Sequence, residues 1–167
     1  MGGDTANHTH TGTATGGMDY ATMSDGNIIA WMGMADSMEV AMATMAKTKA
    51  QHADVKKFAQ MMATEHAKMK KEAQMLAEKH GITAAAPSAQ MNSYEMMTQH
   101  SDLQAASGRA FDSLYIASQV AMHQHVLDNL SKLNPQNADL KVAIDKAKPH
   151  IQQHLDEAKR IQAKLTP

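Results

Sequence analysis

Apolar residues recur every three or four positions along four long stretches of the chain, which places them on one face of an α-helix. One residue of a metal-ligand type interrupts each of these apolar seams. The interrupting residues are, in chain order, Glu39, His66, His123 and His154. Burying such a side chain costs free energy unless it is paired, hydrogen-bonded or bound to a metal. One interruption per helix therefore indicates a shared polar centre inside a helical bundle.

Start and stop signals give the bounds of the helices. The first helix begins at Ser24 or Asp25, either of which can cap it, and runs to about Lys49. The second follows a break at 51–53 and ends before Gly81, a residue type that favours helix C-termini. The remaining predicted helices cover 92–106, 109–133 and 136–165. No stretch alternates as a strand does, so the sequence predicts an all-α fold.

The order of these helices predicts one domain with a particular connectivity. Residues 1–23 are rich in Gly and Thr and read as a flexible tether, and residues 24–167 form the four-helix domain. The connection 81–108 is long enough to cross the bundle and contains the short extra helix. Helices two and three would then run parallel, as in ferritin-like folds. Pro149, inside helix four, is expected to kink it just before His154.

Counting residues from the predicted helix ends tests whether the polar residues share one level. At a rise of 1.5 Å per residue, the heights along the bundle axis agree within roughly 5 Å for Glu39, His66 and His123. The same count places His154 roughly 10 Å from the level of His123. The sequence thus predicts that the first three residues meet, and leaves open whether His154 joins them.

Composition excludes several classes of function. The 16 basic and 17 acidic residues nearly balance, which gives no electrostatic footprint for nucleic acid or an anionic membrane. No apolar run approaches the roughly 20 residues of a transmembrane helix. The absence of cysteine rules out disulfides and thiolate metal sites, so a metal would be held by His, Met, carboxylate, Tyr or water. The 16 methionines either fill core gaps or provide thioethers that favour Cu(I).

Three stretches of the chain resemble an exported bacterial family catalogued as domain of unknown function 4142. They are MEVAMATMAKTKAQHADVKKFAQMMATEHAKM, GRAFDSLYIASQVAMHQH and KPHIQQHLDEAKRIQ, and the resemblance covers about residues 24–165. It implies a ferritin-like bundle, location in the periplasm or outer cell envelope, and no settled biochemical activity. It maps the polar positions of the family onto Glu39, His66, Asp112, Tyr115, His123 and His154. We also hypothesise that Met1 takes the place of the lipidated cysteine of a mature lipoprotein, which would give the full-length precursor a lipid anchor.

These six polar residues are the candidate ligands of a metal ion such as Cu or Zn, bound for buffering or transfer. Further residues that would help to bind a soft metal, through thioether or imidazole groups, are Met42, Met62, Met69, Met122, His125 and His150. His150 and His154 are spaced i,i+4, which can place both imidazoles on one side of a helix.

Other kinds of chemistry have less support in the sequence. A di-iron site is disfavoured because the chain lacks the Glu-x-x-His motif of such bundles. No hydrolytic triad or phosphate loop is present, so no enzyme activity is expected. Binding of haem through His and Met is a further alternative that the sequence leaves open. The main alternative is a structural or stress-related bundle whose buried polar cluster holds no metal.

Overall fold

The computed structural model describes residues 18–86 and 100–165, of which 84% are helical and none lies in a strand. Four long helices follow one another: α1 (Asp25–Lys49), α2 (Ala53–His80), α3 (Gly108–Leu130) and α4 (Ala138–Leu165). A 3-10 turn covers Tyr20–Thr22, and residues 100–105 are helical. The predicted all-α four-helix bundle is confirmed. Within the described ranges, no helix is both long and apolar enough to cross a membrane.

Contacts between helix ends establish the direction of each helix. Asp112, near the start of α3, accepts hydrogen bonds from the backbone N–H groups of Gln51 (3.0 Å) and His52 (2.8 Å), just before α2. Helices α2 and α3 therefore begin at the same end of the bundle and run parallel. Asp139, near the start of α4, contacts His80 at the end of α2 (2.8 Å), so these two helices are antiparallel. This is the connectivity that the long 81–108 connection predicts.

Two apolar clusters hold the bundle, one toward each end, and the polar centre lies between them. On α2, Met62 belongs to the first cluster and Met69 packs against the second, with His66 between them. The other helices repeat this order. His123 lies between Ile116 and Leu130 on α3, and His154 lies between Ile151 and Ala158 on α4. The packing therefore fixes the three histidine-bearing segments from both sides.

Several boundaries differ from the sequence expectation. Helix α3 ends at Leu130 rather than at 133, and α4 begins at Ala138 rather than at 136. The late start of α4 has a local cause, because the carboxylate of Asp25 accepts from the backbone N–H groups of Gln136 (2.8 Å) and Asn137 (2.9 Å). The side chain of Asn137 then caps the helix by accepting from the backbone N–H of Leu140 at 3.0 Å.

Two segments outside the four long helices contact the bundle closely. Met18 and Tyr20, inside the expected 1–23 tether, pack against the second apolar cluster, whereas residues 1–17 lie outside the described part. The backbone N–H of Ala85 donates to the carbonyl of Gly26 at 3.1 Å. A Cβ at position 26 would collide with the backbone of residue 83, so this approach requires glycine. Of the predicted 92–106 helix, residues 92–99 are outside the described ranges.

Substitution Asp112→Asn is expected to lower the free energy of unfolding by about 1–3 kcal/mol, because an amide nitrogen replaces one acceptor of a buried, charged hydrogen-bond group. The Asp112 side chain is 1% exposed and accepts from two backbone N–H groups. Chemical denaturation measures the change. Asp145→Asn is the matched control: that residue is exposed and its ion pair among the described residues is with Lys148, so its loss should cost less than about 0.5 kcal/mol. Equal effects of the two substitutions would contradict the stabilising role of the Asp112 hydrogen bonds.

Candidate metal centre

Three buried histidines from three helices converge at the middle of the bundle. They are His66 of α2, His123 of α3 and His154 of α4, here called the histidine triad. Their ring centroids are 5.3 to 5.7 Å apart. One ring nitrogen of each residue lies within 4.8 Å of a ring nitrogen of each of the others. The spacing is close enough for one ion to contact all three rings.

Each triad ring donates a hydrogen bond from one nitrogen to an oxygen acceptor. The Nδ1 of His66 donates to Asp36 at 2.8 Å, and the Nδ1 of His123 donates to the carbonyl of Gln119 at 2.9 Å. The Nε2 of His154 donates to Glu65 at 2.7 Å. Carboxylate and carbonyl oxygens accept hydrogen bonds, so these nitrogens carry the proton. Such partners fix the tautomer and the orientation of a ligating imidazole.

The opposite nitrogen of each ring has no hydrogen-bond partner among the described residues. These atoms are Nε2 of His66, Nε2 of His123 and Nδ1 of His154. A buried polar atom without a partner costs roughly 1–3 kcal/mol. Three such nitrogens at one place fit a metal ion, which would accept all three lone pairs.

The electrostatic surroundings differ among the three rings. Burial, with the charge of the neighbouring His66 acting in the same direction, lowers the pKa of His123 to about 4. Burial also lowers the pKa of His154, although the hydrogen bond to Glu65 opposes this. Burial acts against protonation of His66 too, but the hydrogen bond to Asp36 and the charge of Glu39 together raise its pKa. His123 and His154 are therefore neutral near pH 7, and a proton competes with a metal mainly at His66.

Glu39 lies beside the triad rather than within it. Its Oε2 accepts from the Nε2 of Gln119 at 2.8 Å, and its Oε1 lies 3.9 Å from the Nδ1 of His123 without a hydrogen-bond partner. Burial raises the pKa of this carboxyl. Glu39 also lines a cavity of about 30 Å³ whose wall includes Asp36, His66 and His123.

The height of His154 along the bundle axis differs from the estimate made from the sequence. It was expected roughly 10 Å from the level of His123, yet one nitrogen of each lies within 4.8 Å of the other. The estimate assumed that α3 and α4 end level at their shared turn. The seven-residue connection 131–137 allows their ends to be offset, and the two apolar clusters then set the register.

Asp112 and Tyr115, also candidate ligands, lie away from the triad. Both oxygens of Asp112 accept from the backbone of the α1–α2 connection, so the residue ties that connection to the start of α3, whereas His52 caps α2. Tyr115 packs between the rings of Phe58 (6.3 Å) and Phe111 (6.1 Å). Burial, together with the charge of Glu39, raises its pKa well above the usual value. Its hydroxyl has no hydrogen-bond partner among the described residues.

The structure separates the residues expected to support a soft metal. Met69 and Met122 line the cavity beside the triad, whereas Met42 and Met62 are buried in the first apolar cluster. His125 is exposed and bonds to Tyr20 and Asn129. His150 is exposed while His154 is buried, so their i,i+4 spacing does not make a shared site.

The residues that orient the triad were not recognised in the sequence. Asp36 lies one helical turn before Glu39, and Gln119 lies one turn before His123, so spacing alone places both near the polar centre. Glu65 directly precedes His66 and faces away from it on α2. It reaches instead to His154 of α4, a contact that only the packing of the two helices reveals.

The fold and the site together define a four-helix bundle with a buried three-histidine candidate metal centre. The chain belongs to the family described as Domain of unknown function (DUF4142), which matches residues 11–161. No curated protein matches the sequence.

Solved structures of CopM share the fold. CopM in the Cu(II)-bound form is 20% identical, with a TM-score of 0.71 over 85% of this chain and 97% of that chain. CopM in the Cu(I)-bound form is 20% identical, with a TM-score of 0.71 over 87% of this chain and 100% of that chain. The Ag-bound form, obtained by co-crystallization, is 19% identical, with a TM-score of 0.68 over 87% and 100%.

Proposed function

We propose that this chain is a non-catalytic protein of the cell envelope that binds a transition-metal ion at the histidine triad, for buffering or transfer. One observation carries the proposal. One ring nitrogen from each of three imidazoles, on three different helices, lies within 4.8 Å of the other two, and each ring has one nitrogen without a hydrogen-bond partner among the described residues. In each ring the other nitrogen donates a hydrogen bond to an oxygen acceptor, which orients the ring. The main alternative is a polar network without metal, in which buried water completes these hydrogen bonds, and the titration below separates the two.

The ligand set favours an ion of borderline or soft character. Neutral imidazoles suit Cu, Zn and Ni, and the chain has no cysteine to provide thiolate. Glu39 and Asp36 supply negative charge close by, which offsets the charge of a bound cation. The solved CopM structures with Cu(II), Cu(I) and Ag support copper and silver as the first ions to test.

Burial supports ion storage over catalysis. Three histidines around one metal with an open position are also typical of catalytic zinc. Here the triad side chains are at most 6% exposed, so the three rings offer almost no surface to an organic substrate in solution. The family resemblance supports the envelope location, with a lipid anchor in the precursor as part of the same proposal.

Titration of the whole, untagged protein with Cu(II) and Zn(II), after purification without chelator, tests the proposal. We expect one equivalent of either ion to bind with a Kd below about 1 µM, or about −8 kcal/mol. A His8→Ala/His10→Ala variant is the control for the histidines near the chain start, and it should retain this equivalent. If neither ion binds below millimolar concentration, the proposal is wrong and a structural bundle with a metal-free polar cluster stands.

A further inference from the structure

The side of α1 that faces away from the bundle, here called the outer face of α1, carries no charge over most of its length. Between residues 26 and 46 the charged side chains of the helix are Asp36 and Glu39, and these are buried at 4% and 1% exposure. The outer face over this stretch contains residues spaced three or four positions apart, as residues on one side of a helix are. They are Met34, Met38, Ala41 and Met45, all exposed or only partly buried. Met34 is 43% exposed.

Hydroxyl groups on this side of α1 turn back to the helix itself. Ser37 donates to the carbonyl of Gly33 at 2.6 Å, and Thr44 donates to the carbonyl of Val40 at 2.7 Å. Each bond spans one helical turn and satisfies the hydroxyl proton within the helix. The exposed side of α2, by contrast, carries several lysines. An exposed surface of this apolar kind marks a contact with protein.

The chain is attached to both ends of α1 on either side of residues 87–99, which lie outside the described part. Before this segment, the backbone N–H of Ala85 donates to the carbonyl of Gly26 at 3.1 Å. After it, the Nζ of Lys49 donates to the carbonyl of Leu103 at 3.0 Å. The connection therefore leaves from the first turn of α1 and returns at the last residue of the same helix.

The length of this connection fits one pass along α1. The helix rises about 35 Å from Gly26 to Lys49 at 1.5 Å per residue. Fully extended, the chain from Ala85 to Leu103 reaches about 60 Å. A route around the far side of the bundle would add the width of two helices in each direction, about 40 Å in total, and would exceed that reach. The segment 87–99 therefore stays on the side of the bundle that α1 forms.

The composition of the segment matches that of the outer face. Glu95 is its one charged residue. Its large side chains are Met91, Tyr94, Met96 and Met97. We propose that the outer face of α1 is a docking surface and that its occupant is the segment 87–99 of the same chain. Methionine on both sides suits this contact, because its flexible side chain fills irregular gaps. The inference goes beyond the proposed function and does not depend on metal binding.

A second copy of the chain is the other occupant that an uncharged face could take. The outer face of α1 measures about 30 Å by 10 Å, or about 300 Å². The neighbouring α3 also exposes no Asp, Glu, Lys or Arg between residues 110 and 127, and the two helices together offer about 600 Å². A dimer interface of standard size buries about 800 Å² on each partner. The area thus favours a single segment of chain over a second copy.

A nitroxide attached at Ser93→Cys tests the docking, and its position is unique because the chain contains no cysteine. The whole protein is labelled with ¹³C at the methionine and valine methyl groups. We expect the nitroxide to broaden the methyl signals of Met34, Met38 and Met45, assigned through single Met→Leu variants. The signal of Val142 is the control, because it is 50% exposed on α4, which packs mainly against α2 and α3. Unbroadened α1 signals, or equal broadening of Val142, would overturn the proposal.

A mixed sample separates docking within one chain from association of two. Spin-labelled chains at natural isotopic abundance are mixed with ¹³C-labelled chains that carry no nitroxide. Any broadening in this mixture arises between copies, and we expect none. Broadening of the α1 methyl signals in the mixture would assign the outer face to a second copy and overturn the proposal.

Chymotrypsin cleavage after Tyr94, followed by mass spectrometry, provides a second measurement. Ala41→Glu places a carboxylate in the middle of the outer face, where docking would bury it without a partner. We expect cleavage to become at least about fivefold faster, which corresponds to about 1 kcal/mol. Ala67→Glu, at an exposed alanine of α2, is the matched control and should leave the rate unchanged. Circular dichroism checks that both variants fold, and equal cleavage rates in the two would overturn the docking.

Discussion

Replacing any one of His66, His123 or His154 with alanine is expected to weaken metal binding at least about 100-fold, which corresponds to about 2.7 kcal/mol. Each substitution removes one of three nitrogen ligands. It also leaves an oriented acceptor, on Asp36, Gln119 or Glu65, without its donor. Loss of an orienting partner alone typically costs 10- to 100-fold in affinity, so loss of a ligand should cost more. Calorimetric titration with Cu(II) and Zn(II) measures the change.

His150→Ala is the matched control for this series. It lies one turn before His154 on the same helix, but its side chain is exposed. Its removal should leave the affinity within about twofold. If wild type binds metal and all three triad variants bind it equally well, the triad is not the site. The next candidate ligands would then be His8, His10 and the methionines of the first helix.

The metal-free protein is expected to lose about 3 kcal/mol of stability through His123 as the pH falls from about 6.5 to about 4. The pKa of His123 is lowered to about 4 in the folded protein by burial and by the nearby His66. Its pKa in the unfolded chain is about 6.5. Between these values the unfolded chain binds the proton and the folded protein does not, so acidification favours unfolding. The lowered pKa of His154 acts in the same direction.

Titration of His66 changes the stability of the folded protein in the opposite direction. Its pKa is raised in the folded protein, so it contributes stability that is present below about pH 6.5 and is lost as the pH rises through the folded value. The measurement is chemical denaturation of chelator-treated protein at several values between pH 7 and pH 4. His123→Gln, which cannot titrate, should flatten the dependence, whereas His150→Gln should not. An unchanged pH dependence in His123→Gln would contradict the assignment.

Much of this arrangement follows from helical spacing. The seams place Glu39, His66, His123 and His154 toward the interior, and the structure buries them at 1, 5, 2 and 1% exposure. The start at Ser24 and the stop at Gly81 follow from capping chemistry that involves only neighbouring residues. Such features depend on a few consecutive positions, and the sequence displays those positions directly.

The remaining features depend on how the helices pack. The level of His154 depends on the offset between α3 and α4, which the 131–137 connection allows but does not encode in any local signal. The contact of Glu65 with His154 spans 89 positions, and that of Asp36 with His66 spans 30. Asp112 carries the side-chain chemistry of a metal ligand, and only the packing reveals that it accepts hydrogen bonds from the α1–α2 connection instead.

The two apolar clusters that flank the triad have a consequence for the proposed buffering or transfer of an ion. Each cluster joins segments of all four helices at its own end of the bundle, and neither one includes a triad histidine. The bundle is thus held together at both ends without any contribution from a bound metal, unlike a zinc finger, which unfolds when its metal leaves. We expect the metal-bound and metal-free protein to share one architecture, so that a molecule that releases its ion is folded and able to bind the next one.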